Sequence, residues 1–167
     1  MAHRPVLVAR VARFAPVGSV LEVGCGTGAN LVLLASEAPA ARVRRVMGID
    51  VSPRAIAEAR RSLSFFSATA HVSVGRAEDL RRFQDHSVDV VLSDAALMYL
   101  GPDQIFRALS EMTRVAQKGL VLLEWNLFDP HEQDERSRWH YGHWIHLQGL
   151  PHFAAYPSLL RGRPPGQ

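Results

Sequence analysis

Three glycines at alternate positions follow one acidic residue, Glu22, in the stretch SVLEVGCGTGAN. The glycines are Gly24, Gly26 and Gly28. A glycine-rich turn that ends a strand and opens a helix lets backbone N–H groups approach a ligand closely, as nucleotide-binding loops require. The first two glycines and Ala29 also fit the G-x-G-x-x-G/A pattern of dinucleotide sites. The glycines therefore predict a nucleotide-type ligand but leave its identity open.

Two acidic residues favour a ribose and a cationic group over a diphosphate. Glu22 lies inside an apolar run, where an ionised carboxylate is costly unless it is paired. It would repel a pyrophosphate and stabilise a cationic ligand group, although an ion pair with a nearby arginine is a structural alternative. Asp50 ends the next predicted strand, at the distance along the chain where an acid binds ribose hydroxyls. Cys25 is interpreted as a small loop residue, because the sequence beside it offers no base to activate a thiol.

The elements that must position these residues alternate along the chain. Strands are predicted at 19–23, 43–50, 70–74, 87–93 and 119–124, and helices at 5–14, 29–37, 53–63 and 102–116. Ser52 is a helix cap, with Pro53 in the first helical position. Alternation of this kind indicates an α/β fold: a doubly wound, Rossmann-like, mostly parallel sheet with helices on both faces.

Composition narrows the class of protein. The chain has 167 residues, 47% of them hydrophobic, which predicts one domain over 1–146 with an irregular tail at 147–167. A single cysteine excludes an internal disulfide and fits a cytoplasmic location. No apolar run approaches the ~18–20 residues that cross a bilayer, so no membrane association is expected. The net charge is +3, but the arginines are scattered and not interleaved with aromatics, so we expect no nucleic-acid partner.

Several stretches together resemble one family. VLEVGCGTGAN is similar to the first motif of class I S-adenosylmethionine-dependent methyltransferases, and GIDVSPRAIAEAR to the second. VGRAEDL, SVDVVLSDAALMYL and GLVLLEWN resemble the third, fourth and fifth-strand motifs, in the family's order. The resemblance covers roughly residues 17–126. That fold ends in a hairpin of strands six and seven, which we expect here to be missing or shortened. Strand five would then be an exposed edge, which favours a homodimer.

The resemblance implies S-adenosyl-L-methionine as the cofactor and assigns roles to individual residues. The glycines shape the loop around the methionine part, and Glu22 orients the loop and the amino-acid end. Asp50 binds the ribose hydroxyls, Val51 packs on the adenine, and Ala77 and Glu78 lie near the adenine edge. The implied cofactor-binding residues are Glu22, Gly24, Cys25, Gly26, Gly28, Asp50, Val51, Ala77, Glu78, Ser93 and Asp94.

Two further positions follow from the same resemblance. Ser93, Asp94 and Ala95 would line the place where the sulfonium meets the substrate. Arg76 departs from the family pattern, which often has Asp or Asn there to accept from the adenine amino group. Arginine carries only donors, so Glu78 or a backbone carbonyl would have to substitute.

The segment RWHYGHWIH could carry a general base. His140, Tyr141 and His143 are the candidate catalytic residues, because in the resembling fold this segment passes over the active-site mouth and imidazole titrates near neutral pH. A packed aromatic cluster is the structural alternative. Three histidines spaced by three residues could also bind zinc, but Gly142 weakens such a helix and no acid or cysteine stands close, so no metal site is predicted.

The leading hypothesis is methyl transfer from S-adenosylmethionine to a small-molecule nucleophile. An S-adenosylmethionine- or S-adenosylhomocysteine-binding protein without turnover is the alternative. A nicotinamide-dependent oxidoreductase is the third reading, and Glu22 argues against it. The Asn-Pro-Pro-Tyr type motif of amino-directed nucleic-acid methylases is absent, and Ser93-Asp94-Ala95-Ala96 stands in its place.

Overall fold

The predicted order of strands and helices is confirmed by a computed structural model, which describes residues 4–36 and 43–124. The helices are α1 (Arg4–Ala12), α2 (Ala29–Ser36), α3 (Pro53–Phe65) and α4 (Pro102–Val115). The strands are β1 (Ser19–Val23), β2 (Arg45–Asp50), β3 (His71–Val74), β4 (Val88–Asp94) and β5 (Ala116–Leu123). A 3₁₀ turn at Leu97–Tyr99, which the sequence patterns do not predict, follows β4.

The five strands form one parallel sheet in the order β3-β2-β1-β4-β5. The chain builds the sheet outward from β1 in one direction through β2 and β3, then returns to the other side of β1 with β4. In open α/β sheets, ligands bind beyond the carboxyl ends of the strands, where the strand order reverses. Here that point lies between β1 and β4, where Val23 is in register with Ser93.

The strand sequences are nearly continuously apolar because both faces of the sheet are covered. All five residues of β1 are buried, and Glu22 is the charged exception among them. One core cluster lies against α1, α2 and α3, and a second lies against α4. Successive residues of β4 alternate between them: Val90 and Leu92 pack in the first and Val91 in the second. The doubly wound arrangement is thereby confirmed.

Polar contacts hold the connections that flank the carboxyl edge. The Ser52 side chain accepts a hydrogen bond from the N–H of Ala55 at 3.2 Å and caps α3, as predicted. Arg114 on α4 ties down the β3–β4 connection by donating to the carbonyl oxygens of Leu80 and Phe83, each at 3.0 Å. This connection carries part of the site, so α4 fixes its position relative to the sheet.

The outer strands of the described sheet are β3 and β5. Arginine side chains cover two carbonyl groups of β3, because Arg60 donates to Val72 and Arg82 to Val74. Within 4–36 and 43–124, no helix is long and apolar enough to cross a membrane. The predicted loss of the terminal hairpin, the boundary at residue 146 and the 147–167 tail lie outside the described residues.

Candidate functional site

A cavity of about 570 Å³ opens at the carboxyl ends of β1, β2 and β4, a size ordinary for a small-molecule site. The β3–β4 connection and the 3₁₀ turn form its sides. The predicted cofactor residues that line it are Gly24, Gly26, Asp50, Val51, Ala77, Glu78 and Asp94. The fold therefore brings together residues from four separate segments of the chain.

The other predicted cofactor residues lie behind the cavity wall. Glu22 and Ser93 are almost fully buried in the strands, and Cys25 is buried beneath the loop. Gly28 faces α3, where an added Cβ would lie 3.1 Å from that of Ala59. The catalytic candidates His140, Tyr141 and His143, and the zinc alternative that adds His146, lie outside the described residues.

The amides of the glycine loop are largely satisfied within the protein. The N–H groups of Gly24 and Cys25 both donate to the carbonyl oxygen of Ile49, at 2.8 and 2.9 Å, and that of Gly28 donates to Cys25 at 2.9 Å. A phosphate-binding loop instead directs its N–H groups at the ligand. This loop shapes the cavity wall and is not built as a phosphate cradle.

Asp50 joins the end of β2 to this loop. Its Oδ2 accepts from the N–H of Gly26 at 2.9 Å, and its Oδ1 accepts from the N–H of Ser52 at 2.8 Å. The carboxylate is thereby fixed in the cavity wall, while each oxygen keeps acceptor capacity for a further donor. A fixed pair of acceptors suits the two neighbouring hydroxyls of a ribose.

Asn30 connects two acids from adjacent strands beneath the loop. Its Nδ2 donates to Glu22 Oε1 at 2.7 Å and to Asp94 Oδ2 at 3.0 Å. Asn30 is itself buried and sits in the first turn of α2. Two carboxylates held this close favour a cationic ligand group and disfavour an anionic one. The sequence patterns miss Asn30; its only local signal is a polar residue in the first turn of a largely apolar helix.

Glu78 lines the cavity from the β3–β4 connection. Its Oε1 accepts from Nε of Arg76 at 2.8 Å and from Nε2 of Gln104 at 3.3 Å. Burial would raise the pKa of Glu78, but its hydrogen bonds and the charge of Arg76 outweigh burial and hold that pKa below its usual value. Glu78 is therefore an ionised acceptor at the cavity. Its use in place of the acceptor that Arg76 cannot supply stays a prediction.

Glu124 is a second residue that the sequence patterns miss. It follows β5, and its Oε1 accepts from Ser93 Oγ at 2.6 Å and from the N–H of Ala96 at 3.4 Å. Burial raises the pKa of Glu124 more than these hydrogen bonds lower it. A lone acid at a strand end has no distinctive spacing, so only the packing of β5 against β4 reveals its partners.

Comparison with known proteins identifies the family and the fold of this domain. The sequence profile of the methyltransferase domain family matches residues 20–119, which include the glycine loop, Asp50 and Asp94. The chain belongs to the methyltransferase domain family. The resemblance inferred from the motifs is confirmed, and the cavity described above occupies the matched part of the domain.

Individual relatives match this domain over part of their length. A protein of Escherichia coli O1:K1 / APEC named trans-aconitate 2-methyltransferase is 38% identical over 87 residues, covering 50% of this chain and 29% of that protein. A solved S-adenosylmethionine-bound amino pentose methyltransferase from Micromonospora echinaspora is 26% identical, with a TM-score of 0.61, covering 76% of this chain and 51% of that one. The structure of a [4+2]-cyclase is 25% identical, with a TM-score of 0.60, over 71% of this chain and 44% of the other.

The chain spans less than half the length of the curated relatives it matches.

Proposed function

We propose that this methyltransferase domain binds S-adenosylmethionine in the cavity and transfers its methyl group to a small-molecule nucleophile. The observation that carries the proposal is the arrangement of Asp50 with the glycine loop. The carboxylate occupies the N–H of Gly26, an amide that a dinucleotide site would turn toward a pyrophosphate, and it presents acceptors to the cavity instead. The same wall therefore suits a ribose without a diphosphate.

The residues present fit the cofactor in three places. Asp50 would hold the ribose hydroxyls, and the exposed side chain of Val51 would pack on the adenine, with Glu78 at the adenine edge. Asp94, held with Glu22 by Asn30, would lie near the cationic methionine end. The family resemblance implies these assignments, and the positions of the residues in the cavity wall support them.

When bound, S-adenosylmethionine would supply an activated methyl group for transfer to the lone pair of a nucleophile. The protein's contribution is to hold the two reactants in line, which is worth up to ~7–11 kcal/mol in favourable cases. The carboxylates of Glu22 and Asp94 disfavour anions in the cavity and stabilise a positive charge there. A base is required only for a nucleophile that carries a proton, and His140, Tyr141 and His143 stay the candidates for it.

Calorimetric titration of the full chain with S-adenosylmethionine, S-adenosylhomocysteine and NAD tests the cofactor assignment. We expect both adenosyl ligands to bind and NAD not to bind. Asp50→Ala should weaken adenosyl binding by at least about tenfold, since it removes charge-assisted hydrogen bonds. Glu58→Ala, which removes a partly exposed carboxylate on α3, is the matched control and should leave binding unchanged. Undiminished binding by Asp50→Ala would overturn the site assignment.

Binding without turnover is the second candidate. It is favoured by the similarity to a structure named as a [4+2]-cyclase, a name that does not describe methyl transfer. Release of S-adenosylhomocysteine, measured over a panel of small-molecule amines, alcohols and carboxylic acids, separates the two candidates. Carboxylic acids belong in the panel because one relative is named for trans-aconitate. Substrate-dependent release supports methyl transfer, whereas tight binding with no release across the panel supports the binding protein.

A further inference from the structure

We propose that Glu124 is a positioning residue of the cofactor pocket, whose carboxylate fixes the turn after β4 against the glycine loop. The proposal rests on the proposed function and extends it to a residue to which the sequence motifs assign no role. Glu124 directly follows β5, the strand that neighbours β4.

One oxygen of Glu124 accepts hydrogen bonds at the end of β4 and in the turn that follows it. Oε1 accepts from the Ser93 hydroxyl at 2.6 Å and from the N–H of Ala96 at 3.4 Å. The other oxygen, Oε2, is buried and has no hydrogen-bond partner in the part of the chain that the structure describes. The side chain is thus committed to the turn through Oε1.

The turn needs this support because its backbone is strained. Ala95 has φ +53°, in the left-handed region that residues with a Cβ rarely adopt. Strain of this kind persists only where the surroundings hold it in place. The N–H of Ala95 donates to the carbonyl oxygen of Leu123 at 2.8 Å, so the end of β5 grips the turn through its main chain as well as through Glu124.

The turn after β4 forms one wall of the cavity. Asp94, Ala95 and Ala96 all line it, and a Cβ built on Gly24 would lie 2.2 Å from the Cβ of Ala96. The turn and the glycine loop are therefore in direct contact. A shift of the turn would both open this contact and move Asp94 away from its hydrogen bond with Asn30.

Glu124 acts from behind the wall and does not meet the ligand. Neither Glu124 nor Ser93 is among the cavity-lining residues, and Ser93 is fully buried. Its effect on binding must therefore pass through the turn, which distinguishes a positioning residue from a catalytic one.

The test compares variants of Glu124 with a variant of Asp89, a carboxylate elsewhere in the sheet that also accepts hydrogen bonds from backbone N–H groups. Asp89 near the amino end of β4 accepts from the N–H groups of Gly18 and Ser19, at 2.6 and 3.0 Å, away from the cavity. Glu124→Asp keeps the carboxyl group but withdraws it by one methylene, Glu124→Ala removes it, and Glu124→Gln keeps an acceptor in place. Affinity for S-adenosylhomocysteine is measured by calorimetry, and stability by urea unfolding.

We expect Glu124→Ala and Glu124→Asp to weaken binding by about tenfold and about fivefold, with Glu124→Gln restored to within about twofold of the wild type. Asp89→Ala should lose stability with its affinity unchanged. Wild-type affinity in Glu124→Asp, or an equal loss in Asp89→Ala, overturns the proposal; Glu124→Asp decides the matter where Glu124→Ala does not fold.

If the wild type binds no adenosyl ligand, the proposed function is refuted, but the positioning of the turn by Glu124 is not. Amide hydrogen exchange without ligand tests separately whether Glu124 holds the turn in place. The amides of Ala96, Leu97 and Met98 should exchange faster in Glu124→Asp than in the wild type or in Asp89→Ala. Equal exchange rates in all three proteins overturn it.

Discussion

Gly24→Ala should be clearly more destabilising than Gly26→Ala, although both changes add one methyl group to the same loop. Both glycines have positive φ, +74° at Gly24 and +51° at Gly26. Their surroundings differ: nothing lies within 4 Å of a Cβ at Gly26, whereas a Cβ at Gly24 would meet the Cβ of Ala96 at 2.2 Å. The pair therefore separates backbone strain from the contact between the glycine loop and the turn after β4.

The magnitudes follow from these two terms. A left-handed conformation costs alanine about 1–2 kcal/mol relative to glycine, and reduced freedom of the unfolded chain returns about 0.4–1 kcal/mol. Gly26→Ala should thus lower the free energy of unfolding by about 1 kcal/mol. Gly24→Ala adds an overpacking cost of about 1–3 kcal/mol, for a total of about 2–4 kcal/mol.

Urea unfolding followed by circular dichroism measures these free energies, with a double-mutant cycle as the decisive arm. Ala96→Gly removes the opposing methyl group, so Gly24→Ala/Ala96→Gly should recover about 1–3 kcal/mol relative to the sum of the single changes. Equal effects of Gly24→Ala and Gly26→Ala, or strict additivity in the cycle, would refute the contact that closes the cavity wall.

Two further predictions concern ionisation. Burial, followed by the charges of Glu22 and Asp50, raises the pKa of Cys25 to about 12, so its thiolate fraction at pH 8 should be about 10³-fold lower than that of a free cysteine. A thiol reagent should therefore label the native protein only as fast as the protein opens. Native labelling as rapid as labelling in urea would contradict this. Burial acts to raise the pKa of Asp89, but hydrogen bonds from Gly18 and Ser19 and the charge of Lys118 hold it below its usual value. The stability that Asp89 contributes is then present above its unfolded pKa of about 3.9 and is lost as pH falls through the lower folded value. Asp89→Asn should therefore cost about 1–3 kcal/mol in urea unfolding at pH 6 and progressively less toward pH 2.5, whereas a constant difference across that range would contradict the assignment.

The sequence by itself determined the architecture of the described core. Continuous apolar runs alternate with helical spacing because a parallel sheet is buried on both faces, and that pattern is local enough to read from the chain. The glycine loop and Asp50 were also predicted, since their positions at strand ends place them at one edge of any such sheet. Among the secondary-structure elements, the exact ends and the 3₁₀ turn after β4 were missed, because turn geometry depends on what packs against it.

The tertiary structure alone decided how the site is held together. Asn30 meets Asp94 across 64 positions of the chain and Ser93 meets Glu124 across 31, contacts that exist only once β4 lies between β1 and β5. The fold also placed Ser93 behind the wall and turned the amide of Gly26 onto Asp50. Strand order and register set these partners, and neither is encoded in the spacing of any single motif.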